Sequence, residues 1–329
     1  MKKLLLSFCC LFTFPVVILA QDVPDLRFSE SGKFKILQFT DTHYIAENET
    51  AKASVNLVGE MLDAEKPQLV VFTGDIVVGG DIMKGWDEIL APIIERKTSW
   101  AALFGNHDDE GGKTRRQIMD HITKKPFCCA SAGPENIKGV GNYVLEIKNA
   151  DGAAKAILYC MDSNAYSTVG GVKGYGWFGF DQIQWYRDTS AKYRKMNNDK
   201  PMPALAFFHI PLNEYTIISS KPENLIGEKR EDECPGAINT GMFAAMVECG
   251  DVMGTFVGHD HVNDYIGVLN GVAMAYGRFS GTKTTYVMEP HGTRTIEISD
   301  NGERSFKTWI RLTGGETILP VEFPASFNK

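Results

Sequence analysis

The chain has 329 residues, 43% of them hydrophobic and 23% charged. That is enough chain to bury a full core, with the balance of a globular protein rather than a disordered or fibrous one. The 34 Lys and Arg stand against 41 Asp and Glu, and this acidity argues against nucleic acid or an anionic membrane surface as a stable partner.

Residues 1–20 read as a secretory signal peptide. Lys2 and Lys3 supply the positive end, Leu4 to Leu19 the apolar core, and Ala20 the cleavage point. A membrane anchor is the competing reading. Pro15 and the polar residues after Ala20 make the segment shorter than a usual span of about 20 apolar residues. The expectation is an exported protein, periplasmic or secreted, with no transmembrane segment once the signal is removed. Residues 21–329 are then expected to form a single domain with its core at about 34–300, since no repeat or low-complexity linker divides them. Five cysteines remain in that span: Cys128, Cys129, Cys160, Cys234 and Cys249. No CxxC spacing is present, which disfavours structural zinc and points to buried thiols with at most one disulfide.

Segment 34–43, "FKILQFTDTH", is a β-type run ending in polar residues. Segment 53–67 has helical spacing and stops at Pro67, 68–75 is a second strand, and 83–97 is a helix broken or kinked at Pro92. Segment 99–110 is a third strand, and 114–122 opens another helix. This rhythm of strand and helix predicts a parallel sheet with crossover helices. Then come a hairpin, 141–149 with 154–163, turning at Asp151-Gly152; a helix at 181–196; and a strand at 203–212. A short helix at 241–250 is capped by Gly250, and the strand "VMGTFV" follows. From 264 onward, alternating segments with Gly-containing turns predict antiparallel strands.

In open α/β sheets, ligands sit at the carboxyl ends of strands. The strand ends here carry Asp41 and His43; Asp75 after Gly74; Asn106, His107 and Asp108 after Gly105; His209; and His259 and His261 after Gly258. Five of the seven histidines occupy such points. Imidazole nitrogen with carboxylate and amide oxygen is a ligand set for transition metals, with iron, manganese, zinc and cobalt all suited. Asp41, His43, Asp75, Asn106, His209, His259 and His261 are too many ligands for one ion. Two ions sharing a bridging carboxylate fit them, and two ions about 3.5–4 Å apart suit phosphoryl chemistry. Each motif alone is also a turn, a cap or a buried histidine; the ordered set carries the reading.

That set resembles the calcineurin-like metallophosphoesterases, and within them the purple acid phosphatase 29-like branch. "DAEKPQLVVFTGD", "GYGW" (174–177), "FFHIPL" and "GHDHVND" are similar as blocks, and the resemblance covers roughly residues 34–280. It implies a two-sheet β-sandwich flanked by helices, of mixed α/β (α+β) class. It implies that Asp41, His43 and His261 hold a first metal ion, that Asn106, His209 and His259 hold a second, and that Asp75 bridges both. A hydroxide between the metals would attack phosphorus in line. His107 would stabilise developing charge or protonate the leaving oxygen, with Asp108 orienting it. Asp260 would be a spacer. Val78 stands where purple acid phosphatases carry a metal-binding tyrosine, so His43 takes that role and no tyrosinate colour is expected.

Asp162, Tyr175 and Trp177, with Tyr166, lie in Gly-rich surroundings and are candidate substrate contacts. Hydrophobic packing under a loop is the competing reading. Lys113, Arg115 and Arg116 either attract an anion or are simply solvated. The expected function is hydrolysis of a small-molecule phosphate ester, phosphomonoesters first, with no protein partner evident. The alternatives are a phosphodiester or nucleotide hydrolase, or a catalytically idle metal-binding surface protein. The His107–Asp108 pair argues against the last, because a pure metal binder has no need of a non-ligand histidine there.

Overall fold

A computed structural model describes residues 23–328. The predicted signal peptide, 1–20, lies outside the described residues. Among the described residues no helix is long and apolar enough to cross a membrane.

The first half alternates strands and helices: β1 (Lys33–Phe39), β2 (Tyr44–Ile45), α1 (Lys52–Glu65), β3 (Leu69–Thr73), β4 (Val77–Gly79), α2 (Ile82–Glu95), β5 (Ser99–Leu103) and α3 (Arg115–Ile122). The second half contains β6 (Tyr143–Lys148), β7 (Ala154–Cys160), α4 (Phe180–Met196), β8 (Ala204–Phe207), α5 (Glu214–Ser219), α6 (Met242–Cys249) and β9 (Val252–Val257). It closes with β10 (Ile266–Leu269), β11 (Val272–Tyr276), β12 (Gly292–Ser299), β13 (Phe306–Leu312) and β14 (Thr317–Phe323).

These strands form two six-stranded sheets, ordered β14-β13-β12-β1-β3-β5 and β10-β11-β9-β8-β7-β6. In the first, β1, β3 and β5 run parallel; in the second, β7, β8, β9 and β11 do. The sheets face each other across an apolar core that includes Ile36, Val71 and Leu103 from one and Leu158, Phe207 and Phe256 from the other. Neighbouring residues point the opposite way: Leu37, Val70 and Phe72 pack under α1 and α2. A strand buried on both faces has to be apolar at every position, which is why these segments read as continuous hydrophobic runs. A third cluster, with Tyr186, Tyr215 and Met246, seats α4, α5 and α6 on the second sheet. The fold is therefore the helix-flanked two-sheet sandwich of the sequence reading.

Three details differ from expectation. Helix α2 runs through Pro92, which is buried in its last turns; packing against the sheet offsets the one hydrogen bond proline removes. Strand β11 pairs parallel with β9, although its hairpin with β10 is antiparallel. That hairpin turns at Asn270-Gly271, both with positive φ (47° and 79°), the signature of a tight primed turn. Helix α5 and the short parallel pair β2–β4 were not anticipated. Among the described residues the five cysteines are free, and Cys128, Cys129 and Cys160 are buried, so the allowance for a disulfide is not used there.

Phe256 is fully buried between the sheets, stacked on Phe207 at 5.3 Å and edge-on to Phe306 at 5.6 Å. Phe256→Ala is expected to lower unfolding free energy by about 3–5 kcal/mol, measured by denaturant titration.

Candidate metal centre

The parallel strands β1, β3 and β5 of one sheet and β8 and β9 of the other end in the loops that carry the polar motifs. Two clusters form there. Asp41, His43 and His261 each bring one ligand atom within 4.8 Å of the others, and Asp75, His209 and His259 do the same. All six residues are buried. His259 and His261, separated only by Asp260, therefore divide between the clusters.

Asp75 joins them. Its Oδ2 lies 3.6 Å from His43 Nε2 in the first cluster and 3.1 Å from His209 Nε2 in the second. Its other oxygen, Oδ1, accepts the His107 backbone N–H at 2.8 Å. Asp41 Oδ1 lies 3.5 Å from His261 Nε2, and the Asp41 carboxylate accepts from the His259 backbone N–H and the Thr40 hydroxyl. Asn106 sits between Gly105 and His107, and its Nδ2 donates to Tyr166 Oη at 3.2 Å.

The donor atoms suit metal ions. His43 Nε2, His209 Nε2, His259 Nε2 and Asn106 Oδ1 are buried without a hydrogen-bond partner, a costly state for polar atoms unless something else satisfies them. His209 donates from Nδ1 to the Thr73 carbonyl at 2.8 Å, and His261 from Nδ1 to the Tyr286 carbonyl at 3.0 Å. Such bonds fix the ring and leave Nε2 as ligand atom. Burial pulls the His43 imidazole down to about 4, against the pull of Asp75, and drives His259 well below the usual range. Burial opposes charge on His209 too, yet Asp75 beside it prevails and raises the ring to about 9. His43 and His259 thus keep lone pairs for donation, and Asp75 attracts positive charge that a cation would supply in place of a proton on His209.

The backbone is bent to make this possible. Asp41, His43, Asp75 and His259 all have positive φ, at 53°, 44°, 53° and 79°. Left-handed non-glycine residues cost of order 1 kcal/mol or more each. Backbone bonds from Asp41 N to the Gly74 carbonyl and from His43 N to the Asp75 carbonyl hold two of these loops together. Gly105 and Gly258 permit close approach: a Cβ would fall 2.2 Å from Asp75 Oδ1 at the first and 1.9 Å from Thr40 Oγ1 at the second.

Several expectations need correction. Asp108 does not touch the His107 ring. Its carboxylate accepts backbone N–H groups from Asp75, Gly105, Ile76 and Val77, at 2.6–3.3 Å. Burial and the Asp75 charge push this carboxyl up, and the N–H bonds oppose them. The ring partner is Glu110, whose Oε2 lies 2.7 Å from His107 Nδ1. Asp162 is no substrate contact: it is buried and paired with Arg115 at 2.5 Å. Arg115, read as an anion attractor or solvated, is a buried brace that also donates to the Gly105 carbonyl. Trp177 lies under the Lys138 ammonium, 5.5 Å from its ring centre, and its carbonyl accepts from Asn164, so it packs beside the site. Tyr175 does border the centre, edge-on to His259 at 4.3 Å and stacked on Tyr166 at 5.7 Å. Asp260 belongs to neither cluster and accepts from Tyr276 Oη at 2.6 Å and from Cys234 N. Tyr286, absent from the sequence reading, stacks on His261 with ring centres 4.2 Å apart.

Residues 34–263 match the profile of the calcineurin-like phosphoesterases. The chain belongs to the calcineurin-like phosphoesterase family. Family membership and the two clusters together indicate a dinuclear metal centre. Among named relatives, the probable inactive purple acid phosphatase 29 of Arabidopsis thaliana is 37% identical, over 93% of this chain and 89% of its own length. The phosphatase DCR2 of Saccharomyces cerevisiae is 35% identical over 88% of this chain and 55% of its own. Among solved structures, a dimetal phosphatase from Danio rerio superposes with a TM-score of 0.59 at 15% identity, covering 88% of this chain and 98% of that one. A purple acid phosphatase from yellow lupin seeds gives 0.55 at 12% identity, covering 89% and 54%. These two likenesses establish the fold.

Asp108→Asn replaces one acceptor oxygen by a donor facing buried N–H groups. It is expected to cost about 1–3 kcal/mol of stability, measured by chemical unfolding with a chelator present.

Proposed function

We propose that this chain is a dinuclear metal-dependent phosphohydrolase acting on small phosphate esters, with phosphomonoesters preferred. The observation that carries the reading is Asp75 Oδ2 poised between a histidine of each cluster. Asp41, His43 and His261 would hold one ion, Asn106, His209 and His259 the other, and Asp75 both. Bound there, two transition-metal ions supply Lewis acidity toward a phosphoryl oxygen and activate water as a nucleophile. The protein groups do the rest. The His107 ring lies 5.4 Å from the His43 ring and is half-exposed, within reach of an entering ester. Its role is to protonate the leaving oxygen or steady the charge that grows on it. Tyr166 and Tyr175 border the entrance, and Tyr166 is 45% exposed, so its ring face is available to a planar leaving group.

The name of the Arabidopsis relative favours a second reading, a protein that binds metal without turnover. The ligand set here is complete in kind, and His107 carries a carboxylate partner in Glu110; an idle metal binder needs neither His107 nor that pair. The proposal includes export, supported by the charged-then-apolar pattern of residues 1–20, and a single catalytic unit over 21–329.

The test is a panel of phosphomonoesters and phosphodiesters with metal analysis of the same sample. Hydrolysis with two ions bound per chain is expected. His107→Ala should lower kcat by about 10²–10⁴-fold with metal content unchanged. Two ions bound with no ester cleaved would favour the idle metal binder.

A further inference from the structure

Glu110 follows His107 by three residues and turns back toward it. Its Oε2 lies 2.7 Å from His107 Nδ1, and its Oε1 accepts from Tyr166 Oη at 3.4 Å. Tyr166 Oη itself accepts from Asn106 Nδ2 at 3.2 Å. One carboxylate thus touches the histidine placed nearest the reaction and, through one phenol, a candidate metal ligand. Asp108, one residue after the histidine, is spent on backbone N–H groups.

A carboxylate accepts the proton of the ring nitrogen it faces and so selects the tautomer and the orientation of the ring. With Nδ1–H given to Glu110, Nε2 is the nitrogen left for the ester. The Asn106 side chain is fixed in the same way: its amide nitrogen is engaged by Tyr166, and its oxygen is the buried, unpartnered atom.

We propose that Glu110 is a positioning residue. It holds His107 with Nε2 toward the leaving group and, through Tyr166, holds Asn106 with Oδ1 toward the metal site. The proposal rests on the phosphoesterase reading. In the step concerned, a water-derived oxygen bonds to phosphorus as the ester P–O bond breaks, and the Nε2 proton passes to the leaving oxygen. The Nδ1 proton stays in the Glu110 hydrogen bond, and water returns a proton to Nε2 afterwards. The side chains of His107 and Glu110 are 36% and 49% exposed. A pair this open to solvent adds little to stability, so Glu110 variants should fold.

The experiment compares Glu110→Ala with wild type in the metal-loaded full chain, on phenyl phosphate and on p-nitrophenyl phosphate. A positioned acid matters most for the more basic leaving group. The expected result is a loss in kcat of about tenfold or more on phenyl phosphate and under about threefold on p-nitrophenyl phosphate, with KM nearly unchanged. Equal losses on both esters, or none on either, would overturn the proposal. Tyr166→Phe should raise the metal Kd by about tenfold and leave that discrimination intact. A second readout needs no turnover: ¹⁵N NMR of the histidine rings, with His107 assigned from His107→Ala. In its neutral form the wild-type ring should be protonated at Nδ1, and Glu110→Ala should move that proton toward Nε2. If this holds while no ester is cleaved, the phosphoesterase reading fails and the positioning role stands. A ring unaffected by Glu110→Ala would overturn the role itself.

Discussion

Oδ2 of Asp75 lies 3.1 Å from His209 Nε2 and 3.6 Å from His43 Nε2, and the architecture of the site follows from that one buried oxygen. A carboxylate sealed from water must be met by positive charge or by donors. Oδ1 has a backbone N–H from His107; Oδ2 faces imidazole nitrogens from two different strands. Burial lowers the His43 and His259 imidazoles, leaving them lone pairs to give, while the neighbouring Asp75 carboxylate raises His209 above its ordinary value. Cations on either side of Oδ2 would answer both demands at once, giving the carboxylate its counter-charge and the neutral rings their acceptor.

Holding five loops to that oxygen requires a rigid frame. The sandwich supplies it by ending β1, β3 and β5 of one sheet and β8 and β9 of the other around the same site. The residues just beyond those strands are bent into left-handed conformations at Asp41, His43, Asp75 and His259. Each bend is tied to another loop rather than to its own. His43 N bonds to the Asp75 carbonyl, Asp41 N to the Gly74 carbonyl, and His259 N to the Asp41 carboxylate. Asp108 performs the same service for the Asp75 and Gly105 turns by collecting their N–H groups in one buried carboxylate. Strain at the ligands is thus stored against a mesh of cross-loop bonds, and the glycines at 105 and 258 leave the space that the mesh needs.

The residues of the two clusters were legible in the sequence because each sits directly after a hydrophobic run, and runs buried on both faces are the plainest signal a strand can give. What the sequence concealed were contacts made across space. Nothing near Asp162 announces that Arg115, 47 residues away, will neutralise it; its Gly-rich neighbours suggested a binding loop instead. The demand on Asp108 comes from backbone N–H groups, which every residue has and no motif records. Tyr286 reaches His261 from a segment without regular structure. Glu110 does carry a signal, three residues beyond His107 in a turn-forming stretch, but Asp108 is nearer in the chain and masks it. Helix α5, at six residues, is too short for helical periodicity to emerge. The parallel pairing of β11 with β9 is a choice of sheet edge that the local turn does not make.

His259 and His261, one residue apart, lie in two different clusters and would serve two different ions bridged by Asp75. The direct measurement is a crystal structure of the metal-loaded protein with anomalous scattering at the metal edge. Two anomalous peaks flanking Asp75 are expected, with His261, His43 and Asp41 on one ion and His259, His209 and Asn106 on the other. A single peak, both histidines on one ion, or Asp260 among the ligands would contradict this arrangement.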